Sequence, residues 1–359
     1  MTIKLQQPQN PVLSAMQANG QGALWHFDNV DVTLLTELQA IAVGDDYWLT
    51  RGAVQALNAR LPQADLTDWL AQNDYLWQAN GHALHDADGL VYAVLNVSPE
   101  SFYNGDQVAD LETMLARVET MLANGADIIE VGGQTTKPGY IEAGLELTPA
   151  EEIARVAPYI TAIKTRFPQA VIAIDTYKYD VMVAAVELGV DIINDIHSFT
   201  DDARKLPFLA GVDVGLLTMW NPREAVVTHL VTEMGAWFED NLATLTAAGI
   251  AENRIALDPG VGYARNSDYR QDLAMMNTIA HLQRFKRPVM TAVSNKGWAK
   301  FWLDLPKEAR ADVSLVAATE MFHRGARVLR VHDIKSAKQM AQVVNGMAQS
   351  YWSASFDTR

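Results

Sequence analysis

The sequence predicts an α/β protein built on a (β/α)8 TIM barrel, with a small, mainly helical N-terminal extension. Eight short apolar runs, rich in Val and Ile, alternate with stretches of helical periodicity from about residue 89 onward. Eight strand–helix pairs over about 270 residues match the count and size of such a barrel. The runner-up, a doubly wound open sheet, calls for a Gly-rich first turn that this chain lacks. The expected domains are 1–88 for the extension and 89–359 for the barrel.

In chain order, residues 1–23 are rich in Gln and Asn, the composition of a partly disordered start. Residues 31–72 hold two amphipathic patterns, around VTLLTELQAIA and GAVQALNARL, read as helices capping the barrel. The strand runs are then LVYAVL (90–95), DIIEV (127–131), VIAI (171–174), DIIN (191–194), VGLLT (214–218), RIALD (254–258), PVMTAV (288–293) and RVLRV (327–331). They are nearly continuous in apolar residues, as expected of strands buried on both faces of a parallel sheet. Between the first two runs, LETMLARVETMLANGA carries helical periodicity and ends in NGAD. The next helix, TPAEEIARVAPYITAIKTRF, opens with Thr148, Pro149 and two Glu, a sound start signal.

Composition excludes several function classes. With 28 Lys+Arg against 43 Asp+Glu the formal charge is −15, which argues against nucleic-acid backbone binding. The 49% hydrophobic content supports a real core. Zero Cys removes disulfides, thiolate metal sites and a cysteine nucleophile. The opening MTIKLQQPQNPVLSAMQ lacks the pattern of a signal peptide, and no apolar run approaches the ~20 residues that span a bilayer. The expectation is a soluble, cytoplasmic protein without a membrane partner.

Barrels of this kind place their chemistry at the C-terminal ends of the strands. Asn96 follows the first run, Gly132 and Gly133 and then QTTKPG the second, and Asp175 ends the third. Asn194 and Asp195 end the fourth, Met219 and Trp220 follow the fifth, and Asp258 ends the sixth. Ser294, Asn295 and Lys296 follow the seventh, and Arg330, His332 and Asp333 close the eighth. Any one of these could be a helix cap. Seven strand ends with charged or amide residues are hard to explain by capping alone. Asp175, Asn194 and Asp258 together suit a planar heterocycle whose edge presents several N–H groups, with Lys296 facing a ring carbonyl or nitrogen. Arg330 and His332 alternate along one strand and point the same way, at the recurrent phosphate site of the fold. They suggest an anionic leaving group such as a diphosphate. The competing reading makes Arg330 an ion-pair partner of a barrel carboxylate and His332 a structural histidine.

The motifs LNVSPESFYNGD, GADIIEVGGQTTKPG, IDTYK, DIINDI, LDPGVGY, SNK and LRVHD, in this order, resemble dihydropteroate synthases, the pterin-binding barrel family. The resemblance covers about residues 89–350. It implies a transferase of folate biosynthesis that condenses 6-hydroxymethyl-7,8-dihydropterin diphosphate with 4-aminobenzoate, releasing 7,8-dihydropteroate and diphosphate. It also implies a homodimer that uses Mg2+. By motif, Asp175, Asn194, Asp258 and Lys296 match the pterin pocket. Asn96, Arg330 and His332 match the diphosphate site, with Asn96 also near the metal. Thr136, Lys137 and Pro138 lie on the loop that orders aminobenzoate. Asp175, Lys296, Arg330 and His332 are the catalytic set.

The chain departs from the family pattern at several points. Asn104 replaces the second Asp of the first loop, Lys137 an Arg of the second, and Ser294-Asn295-Lys296-Gly297 the usual Ser-Arg-Lys-Ser. The usual Met-His-Met after the fifth run reads LTMWNP. These changes fall on the aminobenzoate side and leave the pterin side intact. The alternatives are a non-catalytic pterin-binding paralogue, or a one-carbon methyltransferase on the same barrel.

Overall fold

The computed structural model describes residues 2–18, 20–62, 66–70, 74–97, 111–134 and 143–350. The chain divides into two compact units, one over Leu76–Ala341 and the other over the residues that precede and follow it.

The smaller unit carries a four-stranded antiparallel sheet in the order β1-β2-β4-β3 (Thr2–Gln6, Gly22–Asp28, Asp46–Thr50, Ile41–Val43). Four helices accompany it: α1 (Pro11–Ala18), α2 (Val32–Glu37), α3 (Arg51–Arg60) and α4 (Thr67–Leu70). The sheet is an element that the sequence pattern did not announce beside the expected helices. Of the two expected helices, GAVQALNARL forms α3, with Thr50 capping its N-terminus by accepting from the Ala53 N–H. VTLLTELQAIA is split: α2 ends at Glu37, Gln39 adopts a left-handed φ of 51°, and the chain leaves as β3. Trp25, Leu49, Leu57 and Trp69 fill the core of this unit.

The larger unit begins with a hairpin, β5 (Leu76–Ala79) and β6 (His82–His85). The expected boundary at residue 88 is therefore displaced, because the hairpin buries Trp77 and Ala79 among the first residues of the barrel strands. Trp77 stacks on Tyr92 and donates its indole N–H to the Arg254 carbonyl at 3.0 Å. Asn80 fastens the turn by donating to Asp191 Oδ1 at 3.0 Å and to the Asp213 carbonyl at 2.7 Å.

All eight predicted runs then form parallel strands: β7 (Leu90–Asn96), β8 (Ile128–Gly132), β9 (Val171–Asp175), β10 (Ile192–Asp195), β11 (Gly215–Met219), β12 (Ile255–Asp258), β13 (Met290–Thr291) and β14 (Val328–Val331). Their order is sequential, with β14 returning beside β7, and a parallel bridge between Leu257 and Val289 joins the remaining edges. The helices between them are α5 (Leu111–Ala123), α6 (Pro149–Arg166), α7 (Tyr179–Glu187), α8 (Lys205–Ala210), α9 (Leu230–Ala247), α10 (Tyr269–Thr278), α11 (Trp298–Leu303) and α12 (Ala311–His323). The last, α13 (Ile334–Gln349), follows β14. Helix α6 starts as its sequence indicates: Thr148 and Glu151 form a reciprocal capping box and Pro149 opens the first turn.

Strand periodicity sets the layers inside the barrel, because alternate residues face the axis. The lower layer is apolar: Tyr92, Ile128, Ala173, Ile192, Leu217, Ala256, Met290 and Val328 belong to one buried cluster with Trp77. Two residues further along their strands stand Glu130, Asp175, Asn194, Asp258 and Arg330. The apolar floor thus ends where the polar layer begins.

Candidate active site at the strand ends

Five of the expected site residues lie on the barrel strands themselves. Asn96 ends β7, Asp175 ends β9, Asn194 lies in β10, Asp258 ends β12 and Arg330 lies in β14. Lys296 follows β13 and His332 follows β14. Strand register puts Asp175 beside Asn194, and Asn96 beside Gly132. Thr136, Lys137 and Pro138 lie outside the described residues, as does Asn104.

The sequence reading passed over Glu130. It is fully buried in the middle of β8 and accepts both Nε (2.9 and 3.1 Å) and Nη2 of Arg330. Its Oε2 also accepts from Nδ2 of Asn194 at 3.1 Å. Arg330 reaches further and donates from Nη2 to Asp175 Oδ2 at 2.8 Å. Four expected or newly found residues therefore form one ionic network across the barrel. A signal for Glu130 exists in the sequence: an acid inside the apolar run DIIEV, two residues after the inward-facing Ile128.

Arg330 forms ion pairs with two barrel carboxylates, Glu130 and Asp175. Its Nη1 takes no part in those bonds. Desolvation opposes its charge, yet Glu130 and Asp175 hold the guanidinium well above its ordinary value. The same burial, with the Glu130 carboxylate next in weight, pushes Asp175 up to about 7, against a downward pull from Arg330. Asp175 thus carries a proton in part of the population near neutrality.

Asp258 and Lys296 form the opposite side. Burial raises Asp258 and the Lys296 ammonium draws it back, while burial lowers Lys296 and Asp258 draws it back. Lys296 is held by the carbonyl of Val261, and its ammonium lies 5.3 Å from the centre of the Tyr263 ring. Asp258 is fixed by the Gly260 N–H, which donates to Oδ1 at 2.8 Å. Gly260 has a φ of 75°, and a Cβ there would lie 1.9 Å from the Trp220 carbonyl oxygen, so only glycine allows this turn.

His332 stands at the rim, with Nδ1 3.0 Å from Ser294 Oγ. Desolvation of the ring, then the positive charges of Arg330, Lys307 and Arg117, push it down to about 4. The ring is neutral at pH 7 and offers one N–H and one acceptor. Asn295, where the family pattern has Arg, adopts a left-handed φ of 57°, a conformation in which Asn is enriched. Its N–H donates to Ser314 Oγ at 3.0 Å.

Among the described residues no group of three or more His, Asp or Glu could hold a metal ion. Asn96 is nevertheless given room: a Cβ on Gly132 would lie 2.9 Å from Asn96 Oδ1. One amide oxygen fits Mg2+ bound chiefly through substrate phosphate oxygens and water.

The model of the pterin-binding enzymes matches residues 92–332. A dihydropteroate synthase of Bacillus subtilis is 34% identical over 72% of this chain and 88% of its own length. Among solved structures, the dihydropteroate synthase of Xanthomonas albilineans with 4-aminobenzoic acid superimposes with a TM-score of 0.70 at 25% identity, covering 77% of this chain and all of that one. That of Coxiella burnetii, in complex with pteroic acid, gives 0.67 at 27% identity over 76% of this chain and 99% of its own. The barrel, the strand-end residues and these matches agree, and the chain belongs to the dihydropteroate synthase family of pterin-binding enzymes.

Proposed function

We propose that this protein condenses 6-hydroxymethyl-7,8-dihydropterin diphosphate with 4-aminobenzoate, giving 7,8-dihydropteroate and diphosphate. The observation that carries this reading is the convergence of Asp175, Asn194, Asp258, Lys296 and Arg330 at one end of a closed barrel. Asp175, Asn194 and Asp258 offer acceptors to the N–H groups of the pterin, and Lys296 faces its carbonyl or a ring nitrogen.

Arg330 through Nη1 and His332 through its ring N–H bind the diphosphate. As the C–O bond breaks, negative charge grows on the leaving group and positive charge on the pterin. Arg330 stabilises the first and the carboxylates of Asp175 and Asp258 the second. Mg2+, held by Asn96 and the diphosphate oxygens, would offset phosphate charge. The aromatic amine of the second substrate, ordered by Thr136, Lys137 and Pro138, then attacks the cationic carbon and loses a proton.

We extend the proposal to a homodimer, as the family resemblance implies, and to a cytoplasmic location. No helix among the described residues is long and apolar enough to cross a membrane. The test is direct: incubate the protein with dihydropterin diphosphate, aminobenzoate and Mg2+, and follow diphosphate and dihydropteroate together. Equal amounts of both products support the reaction. Pterin binding without products would favour the paralogue reading, which Asn104, Lys137 and Asn295 keep open.

A further inference from the structure

A fully buried carboxylate in mid-strand needs a reason to persist, because an unpaired buried charge is costly. Glu130 is that carboxylate, and it accepts hydrogen bonds from Arg330 and Asn194, two residues of the site. An ionised carboxylate accepts and never donates. Asn194 must therefore turn its NH2 toward Glu130, and its Oδ1 away. That oxygen is buried and has no hydrogen-bond partner among the described residues. The polar layer thus holds one strongly satisfied acceptor, Glu130, and one orphaned acceptor, Asn194 Oδ1.

We infer that Glu130 is a positioning residue that sets the hydrogen-bonding polarity of the pocket. By accepting from Asn194 and from Arg330 at once, it presents Asn194 to a bound heterocycle as an acceptor of N–H. It also clamps Arg330 so that only Nη1 is left for an anion. Glu130 touches no substrate in this arrangement and acts through the two residues that do. The inference rests on the pterin reading of the site and assigns a function within it to a residue that the strand-end pattern does not contain.

Charge gives a second readout. Asp175 is faced by Glu130 from β8, Arg330 from β14, Tyr92 from β7, Glu152 from α6, Asp195 from β10 and Lys296 from the loop after β13. Of the neighbouring charges, Glu130 acts most strongly to raise it. Neutralising Glu130 in place removes that repulsion and leaves Arg330 to Asp175 alone, so Asp175 ionises at lower pH.

The decisive experiment is titration calorimetry of 6-hydroxymethylpterin, which carries no phosphate, into wild type, Glu130→Gln and Glu130→Asp between pH 5 and 8.5. Circular dichroism serves as the folding control. For Glu130→Gln we expect affinity to fall at least tenfold, because the amide permits Asn194 to turn over. The midpoint of the pH dependence should also move lower. Glu130→Asp keeps the acceptor-only charge, so its midpoint should stay with wild type. A folded Glu130→Gln variant with wild-type affinity and midpoint overturns the assignment. A wild type that binds no pterin overturns the site reading itself, and the two failures are distinguishable.

Should Glu130→Gln not fold, Asn194→Asp replaces it, since it sets a carboxyl group against Glu130. Its melting temperature should drop at pH 8 and recover at pH 5, where the pair can share a proton. An equal drop at both pH values would overturn the contact.

Discussion

At the scale of single residues, the network of Glu130, Asp175 and Arg330 controls both charge and stability. With Asp175 near 7 in the folded protein and about 4 in the unfolded chain, the folded state holds the extra proton between those values. Stability therefore falls as pH rises from about 4 to about 7, and levels off above. Asp175→Asn removes this titration. Its melting temperature relative to wild type should improve between pH 5 and pH 8; a constant difference would show that Asp175 does not titrate in that window. Arg330→Ala is a harsher change, because it strands two buried carboxylates. A loss of about 3–5 kcal/mol in urea unfolding is expected, together with weaker diphosphate binding. Loss of diphosphate affinity at unchanged stability would mean that the ion pairs with Glu130 and Asp175 contribute nothing.

At the scale of elements, the polar layer depends on the floor beneath it. The hairpin β5–β6 buries Trp77 completely against Tyr92, and Tyr92 lies on β7 beside β8, which carries Glu130. Trp77→Ala should cost about 3–5 kcal/mol by chemical denaturation, the range for large-to-small core changes. A cost below about 1 kcal/mol would show that the hairpin is dispensable to the barrel. The hairpin carries a signal that the sequence reading overlooked, Asn80-Gly81, whose positive φ angles of 47° and 84° fit a two-residue hairpin turn, and the sheet of the smaller unit was harder to read. TIKLQ is short and mixes apolar with polar residues, and the helical pattern of VTLLTELQAIA runs through the turn at Gln39. The eight barrel runs were legible because burial on both faces makes them almost wholly apolar. Asp175, Asn194, Asp258 and Arg330 could be picked out because each stands at or near the end of such a run. Glu130 escaped because it sits inside one, where only inward alternation reveals it.

At the scale of the whole molecule, a formal charge of −15 opposes the approach of anionic substrates, so the site needs its own positive field. Arg330 and Lys296 supply it inside the mouth, and Arg117 and Lys307 add to it around His332. The central prediction is that the acceptors at the strand ends bind a pterin through its N–H edge. The most direct measurement is calorimetry of a phosphate-free pterin with wild type and Asp258→Ala at pH 7.5. Asp258 is a buried carboxylate, and charge-assisted hydrogen bonds from ligand N–H groups to it would be worth about 1.5–3 kcal/mol. The account predicts saturable one-to-one binding to wild type and at least about tenfold weaker binding to the variant. Equal affinities, or no pterin binding to a folded wild-type protein, would contradict it.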